Sequence, residues 1–483
     1  MPRPLLVDTV TGSTLAELRA ARDASAGADM VELRLDGVRD LDVGGALAGR
    51  TTPVIVTCRA PWEGGRFDGP EDVRRRVIEQ ALALGADYVD VEWKAGWDDL
   101  IRAAHGRRVV VSHHDFAGVP ADLEDRHRAM RATGAEIVKV AVATSRVSDT
   151  LRLRPLTSDG ATVAIGMGPA GVATRLLAAR FGSRWTYGGP AVAPGQMPVA
   201  DMRQRFRFAE VSATTAVYGV IGRPILHSVS PAMHNAAFRA AGIDAVYVPI
   251  EAADADDAFG FAGALPLEGA SVTIPFKQDA RERATGVDAD AAAVGAVNTI
   301  RRTPDGWAAT NTDVAGFLAP LARRAARDGW TLRGARVAVL GAGGASRAVA
   351  RGAAGAGATV TVHARRAEQA VDVAEGVGAR RGPWPPAPGS WDVLVNCTPV
   401  GNLHSVEASP LPGGPFDGRL VYDLIYAPRE TRLLREARAA GCGTLDGLPM
   451  LVAQAEQQFA WWTGRPAPAG VMGRAAGLMD EDA

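Results

Sequence analysis

Lysine is rare in this chain, and its three lysines are therefore candidates for chemistry. Lysine and arginine together number 53 among 483 residues, and only Lys94, Lys139 and Lys277 are lysines, which leaves 50 arginines. Arginine serves as well as lysine for solubility and ion pairs, but only an amine can lose its proton and act as a nucleophile or base. A retained lysine is thus a candidate for catalysis, with chance retention as the alternative.

Lys139 lies inside an apolar segment, EIVKVAV, between Val138 and Val140. Burial disfavours the charged form of an amine, so the sequence predicts a lowered pKa and a free amine. A free amine is the form of lysine that makes an imine with a ketone. The alternative is a lysine at the end of a strand whose ammonium group reaches solvent.

Polar side chains also follow other β-rich segments of the first half. One imidazole of the SHHDF segment could move protons near neutral pH. A histidine pair can also bind a metal, but no Asp, Glu or His at a suitable spacing completes a site, so no metal is expected. The candidates from these segments are Glu32, Arg34, Arg59, Glu63, His113, His114, Arg175 and Gln196.

Short β-rich segments alternate with amphipathic helical segments over the first 210 residues. Two of the predicted helices cover Glu71–Leu84 and Ala121–Thr133. Eight such strands favour a (β/α)8 barrel over a doubly wound sheet, because the polar residues cluster where strands end, as on the catalytic face of a barrel. The predicted strands are Leu5–Val10, Asp29–Leu35, Val54–Cys58, Tyr88–Glu92, Val109–His113, Glu136–Val140, Thr162–Met167 and a weak one near Trp185.

A glycine-rich turn in the second half predicts a dinucleotide site. Gly341, Gly343 and Gly344 follow the predicted strand Arg336–Leu340 and precede a helix, where backbone amides can approach a pyrophosphate. About 20 residues further on stand Arg365 and Arg366, with no acidic residue there to hold a ribose 2′-hydroxyl. Arginines suit a 2′-phosphate, which predicts NADP(H) as the cofactor.

Two further polar pairs occur in the second half. Lys277 in TIPFK and Asp313 in NTDVAG are 36 residues apart, and the sequence alone does not bring them together. Gln454 and Gln458 are four residues apart, so one helical face can present both amides, although a solvated face is the alternative. A long helix is predicted over Asp313–Asp328, and the Gly- and Ala-rich tail after Trp462 is expected to fray.

The bulk properties exclude several classes of partner. A formal net charge of −1 gives no electrostatic footprint for nucleic acid or an anionic membrane. No apolar run reaches about 18 residues, and the first residues lack the pattern of a signal peptide. The three cysteines, Cys58, Cys397 and Cys442, are too far apart for a disulfide framework. We therefore expect a soluble cytoplasmic protein that acts on small molecules.

The first 210 residues resemble type I 3-dehydroquinate dehydratase. The segments ELRLD, TCRAPWEGG, SHHDF, EIVKVAV, ATRL and APGQ occur in the order found in that family. The resemblance implies that Lys139 forms an imine with the substrate ketone and that His114 transfers protons, oriented by Glu63. It further implies that Arg175 binds the substrate carboxylate, that Gln196 lies on a closing lid, and that hydroxyls and counter-charges are held by Glu32, Arg34 and Arg59.

The lid segment departs from the family at one position. The family usually has Ser-Ala-Pro-Gly-Gln, whereas this chain has Val192 in place of the serine. Because valine cannot donate a hydrogen bond, we expect weaker substrate binding than in a serine-bearing relative. The Val192→Ser variant should therefore show a lower KM for 3-dehydroquinate in steady-state assays. Unchanged KM and kcat would show that the position does not matter.

The second half resembles the shikimate dehydrogenase family. The matching segments run from about Tyr218 to Trp462 and include GRPILHSVSPAMHNAAF, SVTIPFK, GAVNTI, NTDVAGF, GAGGAS, VNCTPVG and GLPMLVAQAEQQF. The resemblance implies a catalytic pair, Lys277 and Asp313. It implies substrate contacts from Ser228, Ser230, Thr273, Asn298, Thr312, Tyr426, Gln454 and Gln458. The cofactor contacts it implies are Gly341, Ala342, Gly343, Gly344, Ala345, Arg365, Arg366, Asn396 and Thr398.

Together the two resemblances predict an α/β protein with two consecutive activities. Residues 1–212 are expected to form the dehydratase barrel and residues 213–483 a two-lobed dehydrogenase. In the dehydrogenase, residues of about 213–318 and 445–483 would form an α/β substrate lobe, and residues of about 319–444 a Rossmann lobe for NADP(H). The alternatives are a quinate- or aminoshikimate-type dehydrogenase, a catalytically inactive metabolite-binding regulator, and a protein in which one of the two domains is impaired.

Overall fold

The computed structural model describes residues 3–190 and 193–478, and Val192 lies outside them. The chain divides into two compact units. The first comprises Met1–Val217, Pro224–Leu226 and Asp244–Pro266, and the second comprises Tyr218–Arg223, His227–Ile243 and Leu267–Ala483. The predicted boundary after residue 212 is close to the main division, whereas residues 244–266, predicted to be part of the dehydrogenase, cluster with the first unit.

The first unit contains an eight-stranded parallel sheet that curls into a barrel. Strands β1 to β7 pair in sequence order and β8 pairs with β1. The ring is closed on the β7 side by a backbone hydrogen bond, 2.9 Å long, from Arg184 N to Thr162 O. The predicted barrel is therefore confirmed. Its strands are β1 Leu5–Thr11, β2 Met30–Arg34, β3 Val54–Thr57, β4 Tyr88–Glu92, β5 Val109–Asp115, β6 Ile137–Ala143, β7 Thr162–Met167 and β8 Trp185–Gly188.

Helices follow most of the barrel strands. The two helices predicted from the sequence are present as α3 and α5, one to two residues shorter at their ends. The helices up to β8 and just after it are α1 Leu15–Asp23, α2 Val43–Leu47, α3 Glu71–Ala83, α4 Asp98–Ala103, α5 Leu123–Ala132, α6 Val172–Leu176, α7 Ala178–Phe181 and α8 Val199–Gln204. Short 3-10 helices cover Leu35–Gly37, Pro61–Glu63, Trp93–Ala95, Val147–Thr157, Pro169–Gly171 and Phe208–Glu210.

Side-chain alternation along β6 explains how a lysine comes to lie inside the barrel. Val138 and Val140 belong to the apolar layer packed outside the strands. Ile137 and Ala141 belong to a separate apolar cluster with Trp185 and Tyr187 of β8. Since neighbouring side chains on a strand point to opposite faces, Lys139 shares the interior face with Ile137 and Ala141.

Two further six-stranded sheets follow β8 in the chain. The first has the order β10-β9-β11-β13-β14-β12 and the second has the order β17-β16-β15-β18-β19-β20. The second is parallel throughout, as expected of a Rossmann lobe. The strands are β9 Ala216–Gly222, β10 Ala245–Glu251, β11 Gly269–Val272, β12 Gly286–Val287, β13 Thr299–Thr303, β14 Gly306–Thr310, β15 Arg336–Leu340, β16 Thr359–His363, β17 Arg380–Arg381, β18 Val393–Asn396, β19 Leu420–Asp423 and β20 Gly443–Leu445.

The helices of this half include the predicted long helix, which ends one residue early, at Arg327. The tail after Trp462 was expected to fray, but it forms a helix whose Met472 is fully buried, so that prediction was wrong for residues up to 478. The helices are α9 Ser230–Ala240, α10 Ala255–Ala264, α11 Lys277–Arg283, α12 Ala289–Val294, α13 Asp313–Arg327, α14 Gly344–Gly355, α15 Ala367–Val377, α16 Arg432–Ala439, α17 Leu448–Thr463 and α18 Val471–Ala476.

Within residues 3–190 and 193–478, no helix combines the length and the apolar character that a membrane crossing requires.

Candidate active sites

A cavity of about 130 Å³ lies at the carboxyl ends of the barrel strands. This is the end of a barrel at which active sites are built. The cavity brings together residues from six strands and from the loops that follow strands. Its polar lining contains the sequence-predicted residues Glu32, Arg34, Arg59, Glu63, His114, Lys139, Arg175 and Gln196.

Lys139 is held by two carboxylates and an aromatic ring. Its Nζ lies 3.2 Å from Asp90 Oδ2, 3.5 Å from Glu32 Oε1 and 4.2 Å from the centre of the Tyr187 ring. Burial by itself would lower the pKa of the ammonium, but the negative charges of Glu32 and Asp90 outweigh burial and raise the pKa above its usual value. The expected lowered pKa was therefore wrong: the resting amine is protonated.

Asp90 belongs to a buried network of charges on β4. Its Oδ1 lies 2.9 Å from Arg59 Nη1, which also donates to Glu92 Oε1 at 3.0 Å. Burial opposes the ionised form of Asp90, but the charges of Arg59 and Lys139 hold its pKa well below the usual range. Asp90 therefore stays negative and keeps its attraction for Lys139.

His114 and Glu63 form a second hydrogen-bonded pair in the same cavity. His114 Nδ1 lies 2.8 Å from Glu63 Oε2, so Nε2 is the nitrogen left for proton transfer. Burial, reinforced by the charge of Arg59, lowers the pKa of His114 to about 4. The imidazole is thus neutral in the resting protein and can accept a proton.

His113 lies on the other face of β5 and does not line the cavity. Its Nε2 is 3.2 Å from Arg126 Nη1 of α5, and its ring meets Trp93 edge-on. The alternation of the strand thus separates the two histidines, and only His114 is placed for chemistry in the cavity.

Arg175 is a buried cation without a carboxylate partner among the described contacts. It is 2 % exposed, and among the residues that the structure describes it donates only to the carbonyl oxygens of Tyr187 and Pro194, at 3.2 and 3.3 Å. Burial lowers its pKa to about 10. A guanidinium in this state gains from any anion that enters the cavity, which makes it the natural partner of a substrate carboxylate.

The remaining predicted barrel residues are also held in place. Arg34 makes a two-pronged ion pair with Asp36 at 2.8 and 2.9 Å. Glu32 accepts hydrogen bonds from the hydroxyls of Thr9 and Thr57. Gln196 donates to Thr9 Oγ1 at 3.3 Å, which ties the lid segment to β1.

The second unit holds the other chemically interesting lysine. Lys277 Nζ lies 2.5 Å from Asp313 Oδ2, although the two residues are 36 positions apart. Lys277 begins α11 and Asp313 begins α13, so two helix N-termini bring the pair together. Asp313 Oδ1 accepts a further hydrogen bond from Asn298 Nδ2 at 2.8 Å, which fixes the carboxylate that holds the lysine.

Polar side chains from α17 and the strands extend this pair into a buried network. Asn298 Oδ1 accepts from Thr312 N at 2.8 Å, and Thr312 Oγ1 lies 3.5 Å from Gln454 Oε1. Gln458 Nε2 donates to Thr299 Oγ1 at 2.9 Å. The two glutamines are buried, so the alternative of a solvated helical face was wrong.

The other predicted substrate residues are distributed more widely. Ser228 and Ser230 are buried at the start of α9, and Ser230 N donates to Ser228 Oγ at 3.2 Å. Thr273 follows β11, four residues before Lys277. Tyr426 is half-buried after β19, and none of the described contacts joins it to Lys277 or Asp313.

The glycine-rich turn has the geometry of a pyrophosphate cradle. Gly341 has φ +109°, and a Cβ there would lie 3.2 Å from Thr398 Cγ2, so a larger residue would be strained. A Cβ on Gly343 would meet nothing within 4 Å, which leaves open space beside the first turn of α14. A Cβ on Gly344 would lie 3.5 Å from Lys277 Cδ, so the turn adjoins the lysine.

A cavity of about 690 Å³ extends from this turn to the end of β16. Arg365 and Arg366 line it and are exposed, and neither guanidinium has an ion-pair partner among the described residues. Two unpaired guanidiniums beside a glycine-rich helix start fit a dinucleotide that carries a 2′-phosphate.

The last two predicted cofactor residues differ in role. Thr398 lines the cavity. Asn396 is fully buried behind it: its Oδ1 accepts from Thr398 N at 2.9 Å and its Nδ2 donates to Asp423 Oδ1 at 2.9 Å. Asn396 therefore positions Thr398 and does not itself line the cavity.

No group of three or more His, Cys, Asp or Glu side chains suited to a metal ion occurs within the ranges that the structure describes.

Three family profiles match separate parts of the chain. The profile of type I 3-dehydroquinase matches residues 7–213. The profile of the shikimate dehydrogenase substrate binding domain matches residues 220–300, and that of the shikimate 5′-dehydrogenase C-terminal domain matches residues 447–476.

A relative that carries both activities covers nearly the whole chain. The chloroplastic bifunctional 3-dehydroquinate dehydratase/shikimate dehydrogenase of Arabidopsis thaliana is 35% identical over 500 residues, which cover 96% of this chain and 82% of that protein. The chain belongs to the bifunctional 3-dehydroquinate dehydratase/shikimate dehydrogenase family.

Separate dehydrogenases resemble the second part of this bifunctional chain. The NADP(+)-dependent shikimate dehydrogenase of Halorubrum lacusprofundi is 46% identical over 272 residues, covering 54% of this chain and 97% of that protein. The crystal structure of a shikimate dehydrogenase in complex with NADP+ superposes with a TM-score of 0.51 at 32% identity, over 55% of this chain and 96% of the other.

Two residues that surround Lys139 were not predicted from the sequence. Asp90 contacts Lys139, and Tyr187 lies beneath its ammonium group. Asp90 and Glu92 are two residues apart on one apolar strand, a spacing that places both carboxylates on the same face. That pattern was the available signal, whereas nothing local distinguishes Tyr187 from a core aromatic residue.

The buried polar network of the second unit also contains residues that were not predicted from the sequence. Ser271 donates to Gln458 Oε1 at 2.7 Å, and Asn311 Oδ1 accepts from Asp313 N at 2.9 Å. Ser271 orients Gln458 across 187 positions of the chain, and no local pattern in the sequence indicates that role. Asn311 lies only two positions before Asp313 and holds the first residue of α13 by a local hydrogen bond.

The contact between Asp90 and Lys139 gives a prediction for the charge of the lysine. The Asp90→Asn variant should lower the pKa of Lys139, because it removes a negative charge that raises this pKa. The measurement is the pH dependence of Lys139 acylation by an amine-directed reagent, followed by peptide mass spectrometry. The midpoint should move to lower pH.

Asp99→Asn is the matched control for Asp90→Asn, since Asp99 pairs with Arg75 at the surface. It should leave the midpoint of Lys139 acylation unchanged. An unchanged or higher midpoint in Asp90→Asn would show that this carboxylate does not set the charge state of Lys139.

Proposed function

We propose that the two halves of this bifunctional enzyme use the residues above for consecutive steps of the shikimate pathway. Residues 1–212 dehydrate 3-dehydroquinate to 3-dehydroshikimate, and residues 213–483 reduce that product to shikimate with NADPH. The observation that carries the proposal is that each catalytic lysine has a fitting partner: Lys139 shares a cavity with His114, and Lys277 contacts Asp313.

The dehydration begins with loss of a proton from Lys139. Its ammonium is stabilised by Glu32 and Asp90, and neutral His114 in the same cavity is a base with a free acceptor nitrogen. The free amine then attacks the C3 ketone. The hydroxyl of the resulting carbinolamine takes up the proton that Lys139 lost and leaves as water, which gives a protonated imine and leaves His114 neutral again. Arg175 holds the substrate carboxylate during this step.

The protonated imine makes the neighbouring C2 proton acidic because it accepts the electron pair left behind. His114 removes that proton, held by Glu63 in the required tautomer. The resulting enamine expels the C1 hydroxyl, which takes a proton from His114 and leaves as water. Hydrolysis of the product imine then releases 3-dehydroshikimate and restores Lys139.

In the second unit, Lys277 is the proton donor to the substrate. As the C3 ketone is reduced, its oxygen gains negative charge, and the ammonium of Lys277 stabilises that charge and donates a proton. Asp313 keeps the lysine in position through the 2.5 Å contact. Asn298, Thr312 and Gln454 form the polar surface that recognises substrate hydroxyls.

The residues around the glycine-rich turn fit NADP(H), which supplies the hydride when it is bound. The amides at the start of α14 would hold the pyrophosphate, and Arg365 and Arg366 would hold the 2′-phosphate. Thr398, fixed by Asn396, bounds the same cavity.

One incubation tests both assignments. The protein is mixed with 3-dehydroquinate and NADPH, and the NADPH absorbance and the products are followed together. We expect NADPH consumption and shikimate. Accumulation of 3-dehydroshikimate without NADPH loss would refute the dehydrogenase assignment, and unchanged 3-dehydroquinate would refute the dehydratase assignment.

Because the pKa of His114 is lowered, the kcat/KM of the dehydratase should fall at a lower pH than is usual for a histidine base. The base is neutral above its pKa of about 4, so kcat/KM should fall only when the pH drops towards that value and not near the usual 6.5. The measurement is a pH profile of kcat/KM for 3-dehydroquinate, with circular dichroism to verify that the protein stays folded. A limb near 6.5 would contradict the predicted neutral, buried imidazole.

A further inference from the structure

Trp384 lies in a Pro- and Gly-rich loop, residues 382–390, which the proposed function does not use. The loop is fastened to the end of β16. Gly382 N donates to Val362 O at 3.0 Å, and His363 Nδ1 donates to Pro383 O at 2.6 Å. A Cβ on Gly382 would lie 2.2 Å from His363 Cε1, so only glycine allows this close approach.

This attachment places Trp384 beside the predicted phosphate-binding arginines. β16 ends at His363 and leads directly into Arg365 and Arg366. Trp384 lines the same 690 Å³ cavity as both arginines and the glycine-rich turn. Its indole is half-buried and packs against the apolar cluster that contains Trp391. These apolar contacts hold the ring in place.

NADP(H) contains an adenine base, and an aromatic ring such as the indole of Trp384 can stack on it. The 2′-phosphate and the adenine are attached to the same ribose, so a phosphate held by the two arginines brings the adenine to their immediate neighbourhood. Aromatic side chains stack on nucleobases through their π faces, whatever the base. We propose that Trp384 is the adenine-binding residue of the cofactor site, an inference that rests on the proposed use of NADP(H).

Adenine binding by Trp384 predicts how the affinities for NADP+ and NAD+ change in variants, and a purely structural role does not predict the same pattern. Adenine is common to NADP+ and NAD+, so loss of the indole should weaken both cofactors by the same factor, about 5- to 100-fold. The 2′-phosphate is present only in NADP+, so loss of the arginines should weaken NADP+ alone.

The experiment measures dissociation constants of NADP+ and NAD+ by isothermal titration calorimetry on the full chain. Trp384→Leu keeps apolar packing and removes the aromatic ring, whereas Trp384→Phe keeps a ring. The first should weaken both cofactors equally, and the second should retain most of the affinity. The matched control is the double variant Arg365→Ala, Arg366→Ala, and thermal melts verify that each variant is folded.

A second readout is independent of affinity. Adenine stacked on Trp384 should quench its fluorescence when NADP+ binds, and the quenching should be smaller in Trp384→Phe than in the unaltered chain. Equal affinity of Trp384→Leu and the unaltered chain would overturn the inference, as would a loss confined to NADP+. Failure of the unaltered chain to bind NADP+ would overturn the proposed cofactor, and the inference with it.

Discussion

Lys139→Arg should abolish dehydration of 3-dehydroquinate while leaving reduction of 3-dehydroshikimate intact. Arginine preserves the positive charge between Glu32 and Asp90 but cannot lose a proton to form an imine. We expect kcat to fall by about 10⁴-fold or more, equivalent to about 5.4 kcal/mol of transition-state stabilisation. The measurement is a separate steady-state assay for each reaction.

Borohydride trapping of the imine tests whether Lys139→Arg loses activity because it cannot form the imine. Borohydride reduction in the presence of 3-dehydroquinate should attach the substrate skeleton to Lys139 in the unaltered chain and give no adduct in Lys139→Arg. Lys94→Arg is the matched control, since Lys94 is exposed after β4, and it should keep both activities. An adduct on another residue, or dehydration by Lys139→Arg at the normal rate, would refute the imine assignment.

Lys277→Arg should have the opposite pattern, with the dehydrogenase lost and the dehydratase spared. Arginine can still contact Asp313 but is a poor proton donor at the pH of the reaction, because its pKa is too high. We expect a fall of about 10²- to 10⁴-fold in kcat for reduction of 3-dehydroshikimate. The measurement is NADPH oxidation with 3-dehydroshikimate supplied directly.

Asp313→Asn provides the companion variant for the same pair. It removes the carboxylate that lies 2.5 Å from Lys277 Nζ and keeps the size of the side chain. If Asp313 positions the lysine and biases its proton, both variants should impair the dehydrogenase, while binding of NADP+ by calorimetry shows that the unit is folded. A Lys277→Arg variant with normal turnover would remove the lysine from the mechanism.

The sequence predicted the barrel strands well because each is a short apolar run bounded by polar turns. β4 and β7 have the predicted bounds, and β15 in the second unit does as well. The sequence also indicated the candidate catalytic groups, because residue type and strand position depend only on neighbours along the chain. The tail was wrong for the converse reason: α18 is ordered because Met472 is buried against other parts of the fold, and composition does not carry that information.

The charge state of Lys139 shows most clearly what local reasoning misses. The apolar neighbours Val138 and Val140 predicted a lowered pKa, and burial does act in that direction. The opposing charges come from Glu32 on β2 and Asp90 on β4, which reach the lysine only because the sheet closes into a barrel.

The sequence by itself determined the fold class, the division into two activities and the identity of the two candidate lysines, because periodicity, motif order and residue type are properties of the chain. The tertiary structure decided which histidine faces the cavity, which carboxylates hold Lys139 and how Lys277 meets Asp313. Those outcomes depend on distances between segments that are far apart in sequence. The electrostatic interactions that shift a pKa depend on the same distances.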